Sequence, residues 1–300
     1  MKRKTLHSRQ AFAALLAALL LGSGFLAGCA SFSRNTNSPP VESYTYAEKR
    51  LLEIVKRQRE FFDSWEAEPD LFRKESMKMR ATNIARSYDA YLADNPDDLQ
   101  ARILYGKFLV RLDQPESAIR QFLYVDREDP TIAVVKQQIG NYLAENGRYM
   151  AALPYFLNAI FLNPDEPIYP YQLGTLIYEF RPHYLYDGFF SRRALDREMQ
   201  SAFARAARLD PESFPFQLRY AESFYDVENP DWEAALLQWR EAEKRAPTDF
   251  DRQFVRLHQA RVLHFLGRSG EATRIAKSVT EDQLQFTRKE LLAAIGETSG

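Results

Sequence analysis

The chain has 300 residues, 45% hydrophobic and 27% charged, which is the make-up of a folded protein of one or two ordinary domains and not of a disordered one. Its formal net charge is -1; setting aside the four basic residues before Cys29 leaves 36 of the 40 basic residues against 41 acidic ones. No concentrated basic excess is present, which excludes a nucleic-acid binder that works by phosphate neutralisation.

The first thirty residues read as a targeting segment. Lys2, Arg3, Lys4 and Arg9 form a positive start, "AFAALLAALLLGSGFLAG" is an apolar run, and "LAGC" ends at Cys29. This resembles the lipobox of bacterial lipoproteins. The resemblance implies cleavage after residue 28, acyl chains on Cys29, and a place in the bacterial envelope. An uncleaved membrane anchor is the alternative, since residues 11–30 are almost long enough to span a bilayer. Ala30 and Ser31 follow the cysteine; in the lipoprotein family an Asp there favours the inner membrane, so the resemblance implies the outer membrane, facing the periplasm. Cys29 is the only cysteine, so no disulfide is expected. "SFSRNTNSPPVES" reads as a flexible tether, giving a signal at 1–28, a tether at 29–43 and a folded domain at 44–300.

"YAEKRLLEIVKRQREFFDSW" has apolar residues at helical spacing. Beyond it, prolines mark a period. Pro96, Pro130, Pro164, Pro211 and Pro247 each follow one helical stretch and precede another. Gly106, Ala118, Phe122, Val125 and Pro130 reappear 34 residues later as Gly140, Ala152, Phe156, Ala159 and Pro164. A third unit keeps Gly174, Phe203, Ala206 and Pro211, with Met199 in place of the alanine. A fourth has Ala221, Ala235, Trp239, Ala242 and Pro247. Ala260, Gly267 and Ala272 mark a degenerate fifth, and Ile84, Tyr88 and Tyr91 an irregular unit upstream.

This pattern resembles the tetratricopeptide repeat. The resemblance implies an all-α fold, a right-handed α-solenoid of helix hairpins, with repeats near 99–132, 133–166, 167–213, 214–249 and 250–280. Small residues let two antiparallel helices approach, an aromatic fills the gap to the next pair, and stacking shields the faces that one pair leaves wet. Residues 46–65 and "EDQLQFTRKELLAAI" are the expected caps at the two ends.

The pattern holds no catalytic centre. His258 and His264 are six residues apart, and no H-E-x-x-H, C-x-x-C, Gly-rich phosphate loop or G-x-S-x-G occurs. No enzyme activity, cofactor or metal is expected. In the tetratricopeptide family the first helix of each hairpin lines a concave face. The resemblance therefore puts Lys107, Arg111, Gln137, Asn141, Glu145, Tyr171, Thr175, Tyr178, Leu218, Glu222, Tyr225, Leu257, Arg261 and His264 there. Asn141 stands at one position of the carboxylate clamp known in some members, but Gln137 occupies the position that needs Lys, so that ligand is not expected. The tyrosines either pack against neighbouring helices or contact a partner.

The interval between Pro164 and Pro211 exceeds the repeat by 13 residues. The surplus is expected as an expanded turn, Arg181 to Phe190, with Pro182 ending one helix and Gly188 in a left-handed turn. There Tyr184, Tyr186, Phe189 and Phe190 either close a local cluster or form a lip for a partner, with the hydroxyls of Tyr184 and Tyr186 outward. Arg192 and Arg193 are expected in solvent or on an acidic partner. The function these readings support is a non-catalytic, lipid-anchored scaffold for a protein partner in an envelope assembly, secretion or pilus-type complex. The alternative is a lipoprotein that binds cell-wall glycan through its tyrosines.

Overall fold

A computed structural model describes residues 45–297 except 69 and 71–73. The signal segment, Cys29 and the tether lie outside the described residues. Among the described residues there are thirteen α-helices and a short 3-10 turn, and no strand. They fall into two compact units, divided between Val125 and Asp126.

The first unit contains α1 (Tyr46–Ala67), α2 (Glu75–Asp94), α3 (Leu99–Arg111) and α4 (Pro115–Glu128), whose last turn belongs to the second unit. Thr45 starts α1 with a reciprocal cap: its hydroxyl accepts from the Glu48 N–H, and the Glu48 carboxylate accepts from the Thr45 N–H. The helix packs on α2 and α3, as a front cap should. Phe61 and Phe62 meet Phe108 at 6.3 and 5.7 Å, and Tyr88 stacks on Tyr105 at 4.9 Å. Gly106 lies so close to Phe122 that a methyl group there would come within 2.6 Å of the ring.

The second unit continues with α5 (Ala133–Glu145), α6 (Tyr149–Leu162), α7 (Ile168–Tyr186), α8 (Arg192–Leu209), α9 (Phe214–Ser223), α10 (Trp232–Arg245), α11 (Asp249–Phe265), α12 (Ser269–Lys277), the 3-10 turn Asp282–Leu284 and α13 (Gln285–Glu297). Each helix packs on the next, and α13 also reaches α11. The crossing points repeat the first unit: Gly140 on Phe156 and Gly174 on Phe203. Ala221, Trp239 and Ala260 are fully buried in the last core, which the rear cap closes with Val279, Leu284, Leu291 and Ile295. Gln253 pins the approach to that cap, its side-chain carbonyl accepting from the N–H groups of Thr280 and Glu281 at 2.6 and 2.9 Å.

Three hairpin turns are alike in detail. Asp113, Gly147 and Gly267 each adopt positive φ, at 58°, 71° and 73°. In each, the next residue's N–H bonds back across the helix end, from Gln114 to Leu109, Arg148 to Leu143 and Arg268 to Leu263. This is the Schellman ending, which favours glycine because a side chain crowds the left-handed conformation.

The long repeat differs from expectation. Pro182 does not end its helix; α7 runs through it to Tyr186. The surplus goes mostly into helix length, with α7 at 19 residues against 13 in α5 and α8 at 18 against 14 in α6. Only Asp187 to Ser191 is turn, with Gly188 at φ 72° as expected. Proline costs a helix one bond and some steric strain, and the aromatic packing of Tyr184, described below, holds the continuation in place.

Candidate functional site

In the second unit the first helices of successive hairpins carry a strip of aromatic and charged side chains. Arg219 of α9 is its centre. The guanidinium stands over the rings of Phe203 and Tyr178, at 4.3 and 4.6 Å. Its Nη1 donates to Asp226 at 3.0 Å and lies 4.0 Å from Glu222. Its Nη2 is buried with no hydrogen-bond partner among the described residues.

Two carboxylates flank it. Burial raises Glu179 above the usual carboxylate range while Arg219 pulls it back. Burial raises Glu222 likewise, again opposed by Arg219 and reinforced by Asp226. Both groups are half-buried and lose part of their hydration, and the Glu222 side chain is still 39% exposed.

Tyr171 is buried, edge-on against Phe203 and tilted against Phe216, and burial pushes its hydroxyl up to about 12. Tyr178 is exposed, and Arg181 also stands over its ring at 5.7 Å. Tyr225 packs against Trp232, Trp239, His258 and Phe265, and its hydroxyl lies 3.2 Å from Nδ1 of His258. His258 lies flat on Trp239 at 4.3 Å; burial, then Arg261, holds it down to about 3, so it is neutral at pH 7.

The expected residues thus divide. Tyr171, Tyr178 and Glu222 come together around Arg219, whereas Tyr225 belongs to the neighbouring cluster of Trp232, Trp239, His258 and Phe265. Gln137 and Asn141 are both buried; Gln137 donates to Gln172 at 3.0 Å, while Oδ1 of Asn141 is buried with no partner among the described residues. Thr175 turns onto its own helix, donating to the Tyr171 carbonyl. Leu257 is core, Glu145 is exposed, and Leu218, Arg261 and His264 are half-buried. In the first unit Lys107 is half-buried, and Arg111 is engaged in tying α3 to α1, 3.5 Å over the Phe62 ring and 2.7 Å from Glu66.

At the end of the long hairpin, Tyr184 corrects the expectation of an outward hydroxyl. It is buried, donates to the Tyr149 carbonyl, and packs edge-on against Tyr149 and Phe190 at 5.0 and 5.6 Å. Tyr186, Phe189 and Phe190 remain exposed. Arg192 is also corrected: it is held by Asp196 at 2.8 Å, whereas Arg193 is exposed. Buried Asp196 accepts from Arg181, Arg192 and the Glu228 N–H, and both arginines also donate to the Asp226 carbonyl. This clasp fixes the segment that delivers Asp226 to Arg219.

Arg219 and the clasp were missed in the sequence. A stripe drawn through Leu218, Glu222 and Tyr225 passes one residue from Arg219, whose long side chain reaches back over the preceding turn. Its pairing with Glu222 at i,i+3 was the available signal.

Among the described residues, no group of three or more His, Cys, Asp or Glu is placed to hold a metal ion, and no helix is long and apolar enough to cross a membrane. No family model and no curated protein matches the sequence. Solved structures do match. YrrB, described as a tetratricopeptide-repeat protein with an unusual peptide-binding site, is 13% identical over 72% of this chain and 100% of its own, with a TM-score of 0.54. The pilF protein of Pseudomonas aeruginosa is 13% identical over 81% of this chain and 94% of its own, at 0.56. PilW, described as a widely conserved type IV pilus biogenesis factor, is 14% identical over 84% of this chain and 99% of its own, at 0.53. The chain has the α-solenoid fold of tetratricopeptide-repeat proteins.

Proposed function

We propose that this protein is a non-catalytic scaffold, attached through lipid on Cys29 to the periplasmic side of a bacterial outer membrane, that holds a protein partner in an envelope assembly, secretion or pilus-type complex. The observation that carries the reading is the strip around Arg219: the exposed ring of Tyr178 under its guanidinium, and the half-buried carboxylates of Glu179 and Glu222 on the same strip. Such groups are costly when left alone and are satisfied by the N–H and C=O groups of an extended chain. Their rigidity keeps the entropy cost of binding low. The descriptions of YrrB as peptide-binding and PilW as a pilus biogenesis factor agree with this reading. The glycan alternative wants an open ring as a platform. Of the strip's tyrosines only Tyr178 is exposed, and two guanidinium groups already stand over it.

Photocrosslinking from position 178 in intact cells tests the proposal. A discrete protein adduct is expected. Arg219→Ala should weaken its capture about 30-fold, the equivalent of about 2 kcal/mol for an interface anchor. Undiminished capture by Arg219→Ala refutes the assignment of the strip.

A further inference from the structure

Met150, Leu157, Phe161, Tyr186, Phe189 and Phe190 are all exposed, and all belong to α6 or to the last residue of α7 and the turn after it. Positions 150, 154, 157 and 161 step by four, three and four, so they share one face of α6. That face is Met, Pro, Leu and Phe, with Phe161 82% exposed, and α6 has no charged residue in its 14 positions. The other long second helices of this unit turn charge outward: Arg197, Glu198 and Arg208 on α8, Glu233, Arg240 and Lys244 on α10.

The turn adds to the same surface. Helices α7 and α8 exceed α5 and α6 by six and four residues, so the long hairpin extends about 6–9 Å further at 1.5 Å per residue. Its end carries Tyr186 and Phe189, 92% and 71% exposed. They cannot fold back into the hairpin end, because Tyr184 fills that space and the Tyr149 hydroxyl holds Asp187 at 2.6 Å. Tyr149, next to Met150, stacks on Phe180 and packs on Tyr184, which packs on Phe190; these contacts hold the hairpin end against the start of α6.

The geometry points to a lipid-contacting surface: the turn Tyr186–Phe190 and the α6 stripe Met150–Phe161 lie in the interfacial layer of an anionic phospholipid bilayer, with Arg148 and Arg193 at its phosphates. Three observations select lipid. Phenyl and phenol rings suit the boundary between acyl chains and headgroups. The charge is complementary at the turn end: Arg148 and Arg193 are exposed there and Asp187 is engaged by Tyr149, while exposed Asp165 stands beyond Phe161 at the opposite end of the stripe. A projecting hairpin end needs a matching hollow in a protein but none in a deformable bilayer. Pairing of α6 with α6 of a second copy would present one stripe about 20 Å long, too little for the roughly 1,200 Å² that stable pairs bury. The inference rests on the proposed membrane attachment only in that the attachment brings this surface to a bilayer.

The full chain, reconstituted in phosphatidylethanolamine–phosphatidylglycerol vesicles, tests it. Phe161→Cys and Phe189→Cys are labelled singly with bimane, Leu237→Cys on exposed α10 is the control, and the unsubstituted chain gives the Cys29 background. Labels at 161 and 189 should be quenched by nitroxide lipids at least threefold more than at 237, and shielded from aqueous iodide. Equal behaviour at all three positions overturns the inference. So does shielding found in cell membranes but not in protein-free vesicles, which would assign the surface to a protein. Flotation reads the attachment separately. A floating chain with unquenched labels defeats this inference alone. A chain that does not float defeats the attachment, and vesicles titrated onto it in solution then decide the surface by the same comparison.

Discussion

Replacing the crossing glycines by alanine turns the packing argument into an ordered series. A methyl group on Gly106 would lie 2.6 and 2.7 Å from two atoms of the Phe122 ring; on Gly174 it would lie 2.8 Å from Phe203; on Gly140, 3.2 Å from Phe156. Ordinary contact begins near 3.4 Å. Gly140→Ala therefore asks the ring to yield a few tenths of an ångström, and Gly106→Ala asks for nearly one. Alanine gains about 1 kcal/mol of helix propensity at each site. Against that, overpacking a closed core costs about 1–3 kcal/mol, and Phe122 is buried with little room to retreat. Gly140→Ala should thus be neutral to slightly stabilising, Gly106→Ala destabilising by up to about 2 kcal/mol, and Gly174→Ala between them. Urea titrations followed by far-UV circular dichroism measure this. Phe122→Leu should also cost less in the Gly106→Ala background than alone. A Gly106→Ala protein as stable as Gly140→Ala would refute the claim that ring contact sets the spacing of the hairpins.

Other outcomes follow from local features. Asp113→Gly should stabilise the first unit by about 1 kcal/mol, because only this turn of the three matched ones holds a side chain at positive φ; thermal melts decide it. His258 is held below its unfolded value of about 6.5, so its contribution is complete above that pH and fades toward about 3, at up to about 1.4 kcal/mol per pH unit. His258→Phe should flatten the fall in stability between pH 6 and 4, and an unchanged slope would contradict this. Asp196→Asn should cost about 3 kcal/mol, since it leaves two guanidinium groups without their buried counter-charge; limited proteolysis should then cut first near 226–231.

The repeat was legible because its physics is local. A glycine or alanine, an aromatic and a proline at fixed offsets each answer to a contact within one hairpin, and Gly106, Gly140 and Gly174 all meet the rings expected of them. The long repeat was misread for the complementary reason. Pro182 is a strong local signal, but the cluster of Tyr149, Phe180 and Tyr184 that keeps the helix going past it joins residues over 30 positions apart. The site was half legible for the same cause. Tyr171 and Tyr178 follow from helix periodicity, whereas Tyr225 lies just beyond the end of α9 and Arg219 acquires its place from Phe203 on another helix and Asp226 on a loop. Arg111, read as available, is held by Phe62 and Glu66, about 45 residues earlier in the chain.

The clasp on Asp196 separates two tasks that a helix would combine. Helix α9 is only ten residues long, and the linker after it takes over where another turn might have been. Because Arg181 and Arg192 grip that linker by its main chain at Asp226, the identity of residue 226 is free to vary while its location is not. Exchanging the Asp226 side chain would remove its ion pair with Arg219 and reset the electrostatic character there, while the main-chain grip of Arg181 and Arg192 stayed in place. The charge at that address can then change with the helical architecture untouched.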